Sequence, residues 1–145
     1  MLKMTHSNTL LHLSCIVLAF VLVSGCGSGD MKVEGTVTLP DGSPLTKGMM
    51  MFDNGKTSVV GNLDAQGKFV LYQLQPGDGV PPGNYRGMIQ YDVEVSPELS
   101  DEARNAALAK ILPFSPKYLG FDTSELTLTV EAGKQVPSLT ITLEK

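Results

Sequence analysis

The sequence predicts an all-β protein, a β-sandwich of about seven antiparallel strands in Greek-key-like order with one short inserted helix. Three observations lead there. Apolar and polar residues alternate with period two through most of residues 32–143. Clusters of Pro, Gly, Asp and Asn divide those runs at the short intervals expected of a sandwich. A single stretch, 96–112, switches to helical spacing.

In the first strand Val33, Gly35, Val37 and Leu39 alternate with Lys32, Glu34, Thr36 and Thr38, so one face is buried and the other wet. Pro40-Asp41-Gly42-Ser43-Pro44 is a turn, because proline presets φ and glycine accepts positive φ. Lys47 to Asn54 forms the second strand, Gly55-Lys56 a turn, and Thr57 to Leu63 the third strand. Met49, Met50 and Met51 bring thioether copper ligands to mind. Three consecutive strand residues cannot share a face, however, so they read as core and rim packing, and no metal site is assigned.

Asp64-Ala65-Gln66-Gly67 makes a hairpin connection to a fourth strand over Lys68 to Leu74: the Asp side chain bonds its own backbone and Gly takes the left-handed position. Without the other EF-hand ligands and the closing Glu, it reads as a turn rather than a calcium loop. The loop from Pro76 to Gly83 delivers a fifth strand. There Tyr85, Gly87, Ile89, Tyr91, Val93 and Val95 face one way, and Arg86, Met88, Gln90, Asp92 and Glu94 the other. Leu126, Leu128 and Val130, then Leu139, Ile141 and Leu143, complete the pattern around a turn at Gly133-Lys134.

The helical stretch offers two starts, Ser96-Pro97-Glu98 and Ser100-Asp101-Glu102, and Pro113 stops it. Its apolar stripe, Leu99, Ala103, Ala106, Ala107 and Ile111, is small and alanine-rich. That suits a crossover helix covering an open face or end of the sandwich better than a docking helix. Phe114, Tyr118 and Phe121 concentrate in the next loop. Such aromatics either stack on sugar rings or peptide, or plug the end of a sandwich.

Residues 1–25 have a positive start at Lys3, an apolar run from Leu13 to Val23, and small Ser24 and Gly25, the arrangement of a secretory signal. The run is shorter than the roughly 20 apolar residues of a spanning helix. Removing those 25 of 145 residues leaves 120, enough for one domain with its own core. Both histidines, His6 and His12, and Cys15 leave with the signal. The mature chain then has no His, and Cys26 is its single cysteine, so a zinc site, a Ser-His pair, a Cys-His pair and an intrachain disulfide are all excluded. Carboxylate chemistry, oxygen-ligand calcium sites and a Ser-Lys arrangement survive, but no spacing singles one out. The net charge is −4, with both signs interspersed, and no basic footprint points to nucleic acid.

Two resemblances add to this reading. Leu22-Val23-Ser24-Gly25-Cys26 resembles a bacterial lipoprotein lipobox, with Val23 where leucine is commoner. The resemblance implies cleavage between Gly25 and Cys26, diacylation of the Cys26 thiol and acylation of the new amine; the alternative is an ordinary secretory signal that happens to end near a cysteine. Two or three acyl chains anchor stably where one holds only marginally. Gly27 stands in place of the aspartate that commonly retains such proteins at the inner membrane, which favours the outer membrane.

Asp64-Ala65-Gln66-Gly67-Lys68-Phe69, followed by Pro82-Gly83-Asn84-Tyr85-Arg86, looks like the signature of carboxypeptidase regulatory-like domains, which are transthyretin- or prealbumin-like sandwiches. Val33 to Val37 and Asp41 to Leu45 are similar to their opening strand and turn. Pro116-Lys117-Tyr118 and Thr123 to Thr127 resemble the C-terminal part of a bacterial lipoprotein group, with Glu125 where glycine is usual. Members are generally non-catalytic.

The expectation is therefore a signal over 1–25, a tether over 26–31 and one sandwich domain over 32–145. It is expected to be a non-enzymatic protein needing no cofactor, held by lipid on Cys26 to a membrane of the cell envelope, on its periplasmic or surface side. It would serve as a structural or protein-interaction module for an envelope protein or glycan. The alternative is a carbohydrate- or peptide-binding module using Phe114, Tyr118 and Phe121.

Overall fold

The structure, a computed structural model, describes residues 30–145; the expected signal, its expected cleavage point at Gly25, and Cys26 lie outside the described residues. Seven strands form two sheets: β1 (Glu34–Thr38), β2 (Met49–Asp53), β3 (Ser58–Asn62), β4 (Lys68–Val70), β5 (Gly83–Gln90), β6 (Thr127–Val130) and β7 (Leu139–Thr142). One sheet has the order β4-β1-β7 and the other β3-β2-β5-β6. A single α-helix, α1 (Asp101–Ile111), and a 3-10 turn (Pro116–Leu119) lie between β5 and β6. The predicted small all-β sandwich with one short helix is the observed fold.

The period-two reading places the core correctly. Val37, Met50, Phe52, Val59, Phe69, Tyr85, Ile89 and Leu128 all point inward and are buried. Two glycines make room for rings between the sheets. Gly35 pairs with Phe69 and Gly87 with Phe52, and a Cβ on either would stand 2.6 Å or 2.5 Å from the ring.

Three details depart from the expected pattern. The pairing of β1 with β7 is parallel, with Gly35 opposite Leu139, whereas the other ladders are antiparallel. The cause is the 131–138 connection, which carries the chain from the end of β6 across to the other sheet, so that β7 starts beside the start of β1.

The fifth strand stops at Gln90 instead of Val95. Gln90 faces Met49, the first residue of β2, and beyond it no backbone partner remains. Tyr91 leaves the ladder to meet Phe114 edge-on, with ring centroids 5.4 Å apart. The fourth strand also ends early, at Val70, because the chain changes sheets there. Leu71 still donates to the Val33 carbonyl at 2.8 Å, while Tyr72 exchanges two 2.9 Å bonds with Val60 of the other sheet. The helix uses the later of its two starts: the Ser100 hydroxyl caps the Ala103 amide at 3.3 Å, with Asp101 and Glu102 in the first turn.

Candidate functional site

The sandwich has two unlike ends. At one, the chain enters through Met31, which exchanges backbone bonds of 2.8 and 2.9 Å with Val80 and so ties the entry to the Pro76–Gly83 loop. The same loop is braced from inside, where the Tyr85 hydroxyl donates to the Pro81 carbonyl at 2.8 Å. Burial, followed by the nearby Asp30 and Asp53 charges, pushes the Tyr85 phenol above its ordinary value. The Asp78 carboxylate accepts from the Leu74 and Gln75 amides and closes the turn.

At the opposite end lie α1, the aromatic loop and the C-terminus. Phe114 is fully buried and Tyr118 is 5% exposed, so these two predicted binding residues present no ring face to solvent. They form a plug instead: Phe114 sits edge-on to both Tyr91 and Tyr118. Phe121, the third, is half-exposed.

The C-terminal residues clamp this plug. The Glu144 amide donates to the Tyr118 hydroxyl at 3.2 Å, and the Ser115 amide donates to the Glu144 carbonyl at 2.8 Å. Lys117 lies 5.1 Å from the Tyr118 ring centre and 2.7 Å from the Glu144 carboxylate. The hydrogen bond to Glu144 raises the Lys117 pKa, and the same contact lowers that of Glu144.

A groove of about 560 Å³ crosses the outer side of β1 and β4, within the size range of small-ligand sites. Glu34, Thr36, Asn62, Lys68, Val70 and Tyr72 line it. Its acids are already engaged: Glu34 pairs with Lys32 at 2.6 Å, and Asp64 accepts the Gln66 and Lys68 amides, each at 2.8 Å, within its own turn. The Asp64-to-Gly67 segment is thus the turn expected, with Gly67 at φ +71°.

The outer face of the four-stranded sheet carries a group of thioethers. Met50 is fully buried, while Met49 and Met51 are half-exposed on the outward face. Met88, also half-exposed, is the direct cross-strand partner of Met51. The outward position of Met88 was legible in the β5 alternation; its meeting with Met51 depends on a register that the alternation does not contain.

Among the described residues no group of three or more His, Cys, Asp and Glu side chains is placed to hold a metal ion. No helix among them is long and apolar enough to cross a membrane. No family model, no curated protein and no solved structure matches this chain.

Proposed function

We propose that this chain is a non-enzymatic, lipid-anchored protein of the bacterial cell envelope, a carboxypeptidase regulatory-like module that offers one end of its sandwich to an envelope protein or glycan. The observation that carries the reading is the lipobox-like Leu22-Val23-Ser24-Gly25-Cys26, and the short link from Cys26 to the folded domain sets which end would meet the membrane. Met31 is already bonded to Val80, and the five residues from Cys26 to Met31 span at most roughly 17 Å. An acylated Cys26 would therefore hold the Met31 and Pro76–Gly83 end against the bilayer. The end with α1 and the clamped aromatic plug would face away.

The side chains suit such a role. The described residues contain no His or Cys, and the acids of the groove over β1 and β4, Glu34 and Asp64, serve ion pairing and turn geometry. On the distal end, Leu99 before α1 and Ile111 at its last position are 37% and 60% exposed, two separate apolar side chains at opposite ends of the helix.

The test is fractionation of the full chain expressed in a bacterial host. Wild-type protein is expected in the membrane fraction and in the detergent phase on detergent partitioning, with Cys26→Ala in the aqueous phase. Recovery of both in the aqueous phase would defeat the anchoring.

A further inference from the structure

We propose that Met49, Met51 and Met88 form a binding site for a soft monovalent metal ion, Cu(I), on the outer face of the four-stranded sheet.

Met51 and Met88 are paired directly across β2 and β5, and Met49 lies two residues from Met51 on the same face. Directly opposed Cβ atoms in an antiparallel ladder are about 5 Å apart and diagonal ones about 7–8 Å, a spacing that long side chains bridge. Methionine has three rotatable bonds and carries its sulfur at the far end, so three thioethers set at these spacings can converge on one point. Thioether sulfur is a soft donor that selects Cu(I) over hard divalent ions.

Placement favours a site over packing. The buried member of the run, Met50, fills the core, so Met49, Met51 and Met88 are not needed to fill it. All three are half-exposed, which leaves an ion a path in from solvent. Met49 also borders a surface depression with Asn62, Gln90, Asp92 and the exposed Lys47, whose long flexible stem lets its charge stay in solvent. Val60, opposite Met51 on β3, gives the sulfurs an apolar neighbour. The nearest cation along β5, Arg86, is engaged with Asp122. Three neutral ligands around Cu(I) leave a single positive charge at a half-solvated position.

The experiment is competition of the full chain, in detergent and without oxygen, against a chromogenic Cu(I) chelator. Wild type is expected to withdraw one equivalent more Cu(I) than the Met49→Leu/Met51→Leu/Met88→Leu variant. Met51→Leu and Met88→Leu are each expected to weaken that equivalent by about tenfold or more. Circular dichroism is expected to show the same β spectrum throughout, since the substituted side chains lie outside the core. Copper absorption-edge spectroscopy of the loaded wild type is expected to show a sulfur-only shell. Equal Cu(I) uptake by wild type and the triple variant, including no uptake by either, overturns the proposal. So does a shell of nitrogen or oxygen donors.

Discussion

Gly87 faces Phe52 across β5 and β2, and a methyl group on Gly87 would stand 2.5 Å from the ring edge. The glycine is thus the space into which the phenylalanine packs, and its amide donates to the Leu126 carbonyl at 2.7 Å. Gly87→Ala overpacks this point between strands that cannot separate freely. The expected loss is about 2 kcal/mol of stability, read as a lower urea midpoint with an unchanged slope. A midpoint equal to wild type would mean that Phe52 has room to turn away.

Glu125 is the single non-glycine at positive φ among the described residues, at +60°. The kink it makes lets the Ser124 hydroxyl donate to the Gly87 carbonyl while accepting the Leu126 amide at 3.2 Å. A side chain in the left-handed region costs about 1–2 kcal/mol, whereas glycine adopts it freely but loses more entropy on folding. Glu125→Gly is expected to stabilise the domain by about 0.5–1 kcal/mol after that offset. Thermal unfolding checks this, and a lowered melting temperature would contradict it.

Phe114 and Phe121 occupy one loop but different environments, the first fully buried and the second half-exposed. Phe114→Ala is expected to cost about 3–5 kcal/mol, enough to unfold a marginal domain. Phe121→Ala is expected to cost about 1 kcal/mol or less. Denaturant curves for the two variants separate a plug from a surface stacking platform, which would make their costs alike.

Acid sensitivity follows from three carboxylates held below their ordinary values. Hydrogen bonds from Ser43 lower Asp41, those from Ser58 and Gly55 lower Asp53, and Lys117 lowers Glu144. A depressed folded-state pKa contributes stability above the unfolded value that is lost as pH falls through the folded one. The melting temperature is therefore expected to hold near neutrality and fall below the ordinary values of 3.8 for Asp and 4.5 for Glu. Lys117 has the opposite sign: its pKa is raised, so its contribution is complete below 10.5 and lost at higher pH. Glu144→Gln should flatten part of both limbs. All these groups are exposed, so the changes are small and shrink in salt.

Alternation made most of the sandwich legible, because burying one face of a strand writes itself into every second residue. Pairing did not show in the same way. Val93 and Val95 continue the alternation past Gln90, yet the strand ends where β2 has no further residue to offer. Tyr72 reads as fourth strand but bonds across to Val60, because a change of sheet leaves no local mark. The same limit hid the thioether group: Met49 and Met51 share a face by sequence spacing, and Met88 reaches them through a register set 37 residues away. Composition placed Phe114, Tyr118 and Phe121 in one loop, but the C-terminal clamp through Glu144 decides which of them are covered.

The most direct test of anchoring is mass spectrometry of the protein extracted from membranes of the expressing host and digested with trypsin. Acylation predicts a mature chain beginning at Cys26, recovered as the Cys26–Lys32 peptide carrying a diacylglyceryl group on sulfur and an acyl group on the amine. An unmodified Cys26–Lys32 peptide, or a peptide in which Gly25 and Cys26 are still joined, would contradict it.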